Sequence, residues 1–139
     1  MLVELTVEEL ETLASALVRL KFEDGVPPEP YFGSPRLAVA HRRIVDSIIL
    51  ESARIGDLGR AERWKSWQRW SSRAHEKDVV VRYASSLSIW DEWTEGQRLD
   101  VLRSCSAPFA LSEDELEELR NEIESVRRSD HPEDFSRHV

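Results

Sequence analysis

Apolar residues recur every three or four positions along most of the chain, which is the spacing of one face of an α-helix. The first such run begins at Thr6 and Glu9, whose types and separation are those of a capping box. This run predicts a first helix that ends near Phe22. Its predicted apolar face consists of Leu10, Leu13, Ala14, Leu17 and Leu20.

A proline-rich loop is predicted after the first helix. Residues 23–35 hold four of the six prolines, so they cannot form the interior of a helix. Ser34 and Pro35 are typical of an N-cap and a first helical residue, and they predict a second helix that runs to about Ile55. Its apolar stripe is wide, which predicts a central helix. The stripe consists of Leu37, His41, Ile44, Val45, Ile48, Ile49 and Ile55.

Residues 58–74 contain no helix breaker after Gly59 and predict a third helix, with Asp57 as its cap. A polar joint, residues 75–78, follows, and Asp78 is predicted to cap a fourth helix that carries apolar residues as far as Trp90. The β-branched run 79–81 is also typical of a strand. Because a lone strand has no pairing partner in this chain, helix is the prediction.

Two further capping boxes predict the last helices. Thr94 opens a short helix that stops at Pro108, and Ser112 opens a helix with Leu116, Leu119, Ile123 and Val126 on one side. Residues 129–139 are predicted to be a flexible tail. The sequence therefore predicts an all-α, single-domain bundle of five to six helices over residues 1–128, with a proline-rich loop after the first helix.

Composition narrows the class of protein. The 139 residues are 40% hydrophobic and 33% charged, which excludes a disordered or fibrous chain. No apolar run approaches the roughly 20 residues that a bilayer crossing needs. The acidic N-terminus is unlike a secretory signal, and the single cysteine, Cys105, excludes an intrachain disulfide. These features predict a soluble cytoplasmic protein with no membrane partner.

The net charge of −8 is distributed unevenly. Residues 1–34 carry 2 basic and 7 acidic groups, and residues 112–139 carry 4 and 10. Between them, residues 35–75 carry 9 basic and 4 acidic groups, and residues 76–111 carry 4 and 6. One interpretation is that the acidic ends pack beside the basic middle and neutralise it. The other is that one acidic end stays open and attracts a basic partner, and both hold if only one end covers the middle.

The sequence lacks the spacing of a catalytic or metal site. Its four histidines, which include His41 and His75, never lie one helical turn apart, so no zinc or iron site is predicted. Cys105 falls on the apolar side of a short helix, where a buried thiol is the usual outcome. We therefore predict no enzyme, no metal and no cofactor. A small enzyme whose site assembles around His41 or His75 remains a third possibility.

Aromatic residues are concentrated in two places. All five tryptophans lie between positions 64 and 93, and they either pack inward, stack on nucleic-acid bases, or anchor a protein interface. Tyr31 and Phe32, framed by Pro30 and Pro35, form either a lid over the core or a rigid contact loop.

A non-enzymatic protein-binding function fits these features best. The hypothesis is an acidic, immunity-type inhibitor, or antitoxin, that neutralises a basic toxin or effector by covering its surface; the step to inhibition rests on analogy. Its predicted contacts are Glu113, Asp114, Glu117, Glu118, Glu122, Asp91, Glu92, Tyr31 and Phe32. The alternative is a nucleic-acid-linked regulator that uses residues 58–74, although the net negative charge opposes it. Its predicted contacts are Arg60, Arg63, Lys65, Arg69 and Arg73.

Overall fold

A computed structural model describes residues 1–23 and 26–130, and in them the chain forms six α-helices and no strand. The all-α prediction is confirmed, and 75% of the described residues are helical. The helices are α1 (Val7–Phe22), α2 (Pro35–Arg54), α3 (Leu58–Trp67), α4 (Ala74–Ser85), α5 (Glu95–Ser106) and α6 (Glu113–Asp130). Two short 3₁₀ helices lie between them, Trp70–Ser72 and Ser88–Glu92. Helix α6 continues two residues into the predicted tail, whose remaining residues, 131–139, lie outside the described part.

The three predicted capping boxes, at the starts of α1, α5 and α6, are confirmed by their hydrogen bonds. The Thr6 hydroxyl accepts the Glu9 N–H at 3.1 Å, and the Glu9 carboxylate accepts the Thr6 N–H at 2.9 Å. The boxes at Thr94 and Ser112 close in the same way. Each box satisfies backbone donors that the first turn of a helix leaves without an internal partner. Local sequence therefore determines where most of the helices begin.

The predicted apolar face of α1 is confirmed at Ala14 and Leu10 and wrong at Leu13 and Leu20. Leu13 and Leu20 are exposed, whereas Val7, Ala14 and Lys21 are buried. The reason is that α1 packs against α2 at Ala14, where the small side chain lets the His41 ring come within 3.0 Å of the Ala14 carbonyl oxygen. The leucines then lie to one side of the contact rather than at its centre.

Helix α2 is the central helix, as predicted. It packs against α1, α3 and α5, and its buried residues follow one continuous stripe. The stripe includes Ala38, Val45 and Ile48, but Ile55 lies beyond the end of the helix and is exposed. Val45 and Ile48 form a small core with Val7 and Ala14 of α1.

The predicted third helix is wrong beyond Trp67. The chain leaves the helix at Gln68, whose carbonyl accepts the N–H of Ala110 at 2.9 Å. The Arg73 guanidinium donates to the Trp67 carbonyl at 2.6 Å, which satisfies one of the orphan acceptors at the end of α3. These bonds to distant or non-adjacent residues end the helix where no breaker stands in the sequence.

The polar joint predicted at residues 75–78 is also wrong, because α4 already begins at Ala74 and Asp78 lies inside it rather than capping it. The helical prediction for residues 79–81 is confirmed, and all three valines are buried. Helix α4 ends at Ser85, so Trp90 belongs instead to the second 3₁₀ helix.

The larger core lies among α4, α5 and α6 and is closed by aromatic side chains from other parts of the chain. Phe109 is fully buried there, with its ring centroid 5.2 Å from that of Trp67 and 5.9 Å from that of Phe22. Leu102 and Leu119 complete the packing from α5 and α6. Of the helices in the two described ranges, none has an apolar stretch long enough to cross a membrane.

Candidate protein-interaction surface on the last helix

Helix α6 separates its apolar and acidic side chains onto opposite sides. Leu116, Leu119 and Ile123 are buried, and the helix packs through them against α4 and α5. Residues at positions 114, 117 and 118 point away from this contact and are exposed. The spacing that the sequence analysis used to predict the helix therefore also fixes which carboxylates face outward.

The edges of this acidic side are held by ion pairs. Glu113 lies 3.1 Å from Arg103 of α5, and Glu122 lies 3.0 Å from Lys77 of α4. Both pairs are well exposed, so each contributes no more than about 1 kcal/mol. Two of the five α6 acids predicted to contact a partner, Glu113 and Glu122, are therefore paired within the molecule. The remaining three carboxylates are the ones to consider for a partner.

Asp114, Glu117 and Glu118 form no ion pair within the described residues. We call these three side chains the open acidic face. Asp114 and Glu118 are four residues apart on one helix, where like charges repel by a few tenths of a kcal/mol, about 0.2–0.5. Among the described residues, no cation forms an ion pair that offsets this repulsion, and a basic partner would relieve it.

Asp91 and Glu92 do not join the open acidic face. Asp91 accepts from Arg127 at 2.9 Å, and the same guanidinium donates to the carbonyls of Ser85 and Leu87. Arg127 stands in the last turn of α6, about 15 Å along the helix from Glu117 at the usual rise per residue. The predicted acidic contacts therefore lie at two separate places on the molecule, and Asp91 is paired with Arg127, which also supports the fold. Glu92 is exposed.

The two aromatic residues of the proline-rich loop have opposite environments. Tyr31 is 54% exposed, but Phe32 is fully buried, with its ring centroid 4.6 Å from that of Tyr83 and 5.5 Å from that of Phe22. The lid interpretation is therefore confirmed for Phe32. Its prediction as a partner contact is wrong, because its side chain has no surface left to offer.

The basic residues of α3 are partly neutralised by the first helix. The Arg60 guanidinium lies 3.6 Å from Glu8, 3.8 Å from Glu11 and 3.6 Å from Asp57. Glu11 also accepts the indole N–H of Trp64 at 2.8 Å. The acidic first end of the chain does pack beside the basic middle, as one interpretation of the charge pattern predicted.

The other predicted nucleic-acid contacts do not form one surface. Arg73 is directed inward, with its guanidinium 4.6 Å from the Phe109 ring centroid and bonded to the Trp67 carbonyl. Lys65 pairs with Glu62 at 3.3 Å. Arg63 and Arg69 are exposed. The five basic side chains thus have three different environments, and only part of the set is open to solvent.

None of the five tryptophans is exposed. Trp70 and Trp90 are 6% and 1% exposed, and Trp64, Trp67 and Trp93 are half-buried. Trp64 and Trp67 pack edge to face with their centroids 4.9 Å apart. Inward packing is therefore confirmed for Trp70 and Trp90, and the other three indoles keep only part of their surface open for base stacking or for an interface.

Lys21 is buried, which the sequence pattern did not predict. Its Nζ reaches the C-terminal end of α5 and donates to the carbonyls of Ser104, Cys105 and Ala107 at 3.1, 3.0 and 2.8 Å. The cation satisfies acceptors at the negative end of α5, which favours it there, while burial lowers the Lys21 pKa to about 8. A lysine near the end of a helix is normally exposed, so no local signal identified it.

The candidate catalytic residues are engaged by the fold. The fully buried His41 ring lies against the Ala14 carbonyl, and because a carbonyl oxygen only accepts, Nε2 carries the proton. Its Nδ1 has no partner, and burial lowers the His41 pKa to about 4. His75 Nε2 lies 2.8 Å from the Phe22 carbonyl, and burial raises the Cys105 pKa to about 12. Across residues 1–23 and 26–130, no group of three or more potential ligands is placed to hold a metal.

No protein-family model, curated protein or solved structure matches this chain. Its function is therefore inferred from the geometry and the charges of its own residues. Among the predicted contacts, the structure leaves a compact group of three unpaired carboxylates on α6, together with the separate exposed residues Tyr31 and Glu92.

Proposed function

We propose that this chain is a non-enzymatic binding protein, and that α6 contacts a basic surface on a partner protein. The observation that carries the proposal is the open acidic face: Asp114, Glu117 and Glu118 stay without an ion pair in the described structure although the chain is rich in arginine. A cluster of uncompensated charge attracts the opposite charge and speeds its approach.

The scaffold under the face supports this role. Leu116 and Leu119 anchor α6 in the core, and the capping box at Ser112 fixes its first turn. The backbone of a packed helix is already ordered before a partner arrives, so binding costs less conformational entropy than it would on a loop.

A groove beside the face suits a long basic side chain. It has a volume of about 310 Å³ and is lined by Trp70, Leu119 and Glu118, among others. Arg73 and Lys77 also line it, but their charges are engaged with the Trp67 carbonyl and with Glu122. The aliphatic stem of a partner's arginine or lysine fits along the apolar wall, with its charge at Glu118.

More specifically, we propose that the chain is an immunity-type inhibitor that acts in the cytoplasm. A toxin or effector that itself acts on nucleic acid presents a basic surface, and carboxylates on a rigid helix can occupy it in place of phosphates. The charge pattern and the fold support this form, and the inhibitory step rests on analogy. No observation favours the alternative regulator, because none of the indoles is fully exposed and Arg60 and Arg73 are engaged within the chain.

The test compares two charge-reversed variants of the full chain. E117K/E118K changes the open acidic face, and E4K/D46K changes two exposed acids elsewhere, so both raise the net charge by four units. The partner is captured from the native cell with the unaltered protein, and association rate constants are then measured with all three proteins. We expect E117K/E118K to slow association about tenfold and E4K/D46K to change it by less than about threefold.

The same measurement at several salt concentrations sharpens the test. Association of the unaltered protein should slow as salt rises, and that of E117K/E118K should depend on salt much less. Equal effects of the two variants would show that net charge alone matters, which contradicts a defined contact surface on α6.

A further inference from the structure

A second groove lies between the N-terminal half of α2 and the C-terminal half of α5. It has a volume of about 420 Å³, which is in the range of small-molecule sites. Ala38, Val39 and Val101 contribute apolar surface to it, and Arg42 and Arg103 bring two guanidinium groups. No part of the proposed function uses this groove.

Arg42 is the uncompensated charge in the groove. Its side chain is half-buried, and Nη2 donates to the backbone carbonyl of Arg103. Among the residues that the structure describes, no carboxylate forms an ion pair with it. Burial and the nearby Arg103 lower the Arg42 pKa, and Asp46, one turn further along α2, offsets this lowering in part. A guanidinium has five N–H donors, so most of those on Arg42 remain for a ligand.

Arg103, by contrast, is already neutralised. Its guanidinium lies 3.0 Å from Asp100 and 3.1 Å from Glu113. Asp100 also lines the groove, where it repels an anion of high charge. The side chains that line the groove are two cations, Arg42 and Arg103, and one anion, Asp100, so a monoanion matches the lining better than a dianion does.

We propose that this groove binds a monocarboxylate carried on a short, branched apolar chain. The two carboxylate oxygens match the fork of N–H donors on Arg42. Val39, which is 47% exposed, and Val101 offer the surface that an apolar chain would cover. The carboxylate belongs either to a free small acid or to the C-terminus of a peptide that ends in an apolar residue, since both present the same chemistry.

The binding test uses 4-methylpentanoate and the uncharged 4-methylpentanamide, titrated into the ¹⁵N-labelled full chain and followed by NMR. We expect the acid to bind with a Kd of about 1 mM, to shift the amide signals of Val39, Val101 and Ser104, and to bind about tenfold more tightly than the amide. Inorganic phosphate should bind more weakly than the acid.

Variants of an exposed wall residue test the location without disturbing Arg42, which also supports the fold. V39D places a second carboxylate in the groove and should weaken binding of 4-methylpentanoate about tenfold, whereas V39K should strengthen it about threefold. The matched control is L50D, because Leu50 is on the same helix, is 70% exposed and does not line the groove. L50D should leave the affinity unchanged.

The two sources of the carboxylate are separated with a tripeptide that ends in leucine, used with a free and with an amidated C-terminus. Tighter binding of the free peptide than of 4-methylpentanoate assigns the groove to a peptide terminus, and the reverse order assigns it to a small acid. The proposal is overturned if the amide binds as tightly as the acid, if phosphate binds more tightly, if V39D and L50D behave alike, or if no binding occurs.

Discussion

The two acidic helices, α1 and α6, begin with similar capping boxes and differ in what lies beside them. Glu8 and Glu11 of α1 surround Arg60 of α3, so their charge is used inside the molecule. Glu117 and Glu118 of α6 have no such cation within the described residues. The difference shows that the number of acidic residues in a helix does not determine how much negative charge is left for a partner. That charge depends on whether the neighbouring helix supplies cations that pair with them.

The packing order explains the difference. Helix α1 lies against α2, whose neighbour α3 belongs to the basic middle of the chain. Helix α6 packs against α4 and α5, which carry fewer basic residues, and their cations reach only its edges. We therefore expect substitutions in and around α1 to change mainly stability, and those on the outer side of α6 to change mainly binding.

The largest effect should come from Lys21. Replacing it with alanine removes the donor to three buried carbonyls and leaves a cavity, and we expect the free energy of unfolding to fall by about 4 kcal/mol. Chemical denaturation monitored by tryptophan fluorescence measures it. K21M, which keeps the volume of the side chain, should cost less than K21A. A loss below about 1 kcal/mol in K21A would show that the buried cation does not secure α1 to α5.

Acid should weaken the docking of α1 on α2 through His41. The folded-state pKa of about 4 lies below the ordinary 6.5, so the unfolded chain binds the proton more readily. The contribution of neutral His41 to the free energy of unfolding is complete above pH 6.5. It is lost as the pH falls through about 4, by roughly 3 kcal/mol in all. Denaturation at a series of pH values measures this slope. H41Q should flatten it between pH 4 and 6.5, and an unchanged slope in H41Q would assign the effect to other groups.

A smaller effect is expected at Arg60. R60A removes the cation shared by Glu8, Glu11 and Asp57 and should lower the free energy of unfolding by about 1 kcal/mol. The matched change R63A, on the same helix but exposed, should stay within about 0.5 kcal/mol of the unaltered protein. If the two variants were equally stable, the pairing of α1 with α3 would contribute nothing measurable.

The smallest expected effect is a gain in stability, from E118Q. This change removes the repulsion of Glu118 with Asp114 and Glu122, each four residues away. It should raise the free energy of unfolding by about 0.3 kcal/mol and the melting temperature slightly. Thermal unfolding at low salt is the measurement, since salt screens the repulsion. A loss of stability in E118Q would indicate that Glu118 is paired within the molecule, and the open acidic face would then be smaller than proposed.

Features that depend on neighbouring residues were predictable from the sequence. Thr6, Thr94 and Ser112 cap their helices because the hydroxyl and the carboxylate or amide that close each box are three positions apart. The outward direction of Glu117 and Glu118 follows from the same local geometry, since the apolar residues of α6 fix which side is buried. This part of the candidate site was therefore visible before the structure.

Features that depend on distant residues were not predictable. Helix α3 ends at Trp67 because Ala110 and Arg73 bond to carbonyls at its end, and neither contact has a signature within the helix itself. The burial of Lys21 needs the end of α5, more than eighty positions away. Whether Glu113 is free or paired likewise depends on Arg103 in another helix.

The burial of Lys21 has a practical consequence for chemical cross-linking. The chain has three lysines, and with one of them enclosed, the lysine amines that reagents reach are those of Lys65 and Lys77. Lys77 lies 3.0 Å from Glu122 at the margin of the acidic side of α6, whereas Lys65 is on α3. Cross-links from a bound protein to Lys65 or to Lys77 would therefore distinguish which side of the molecule the partner covers.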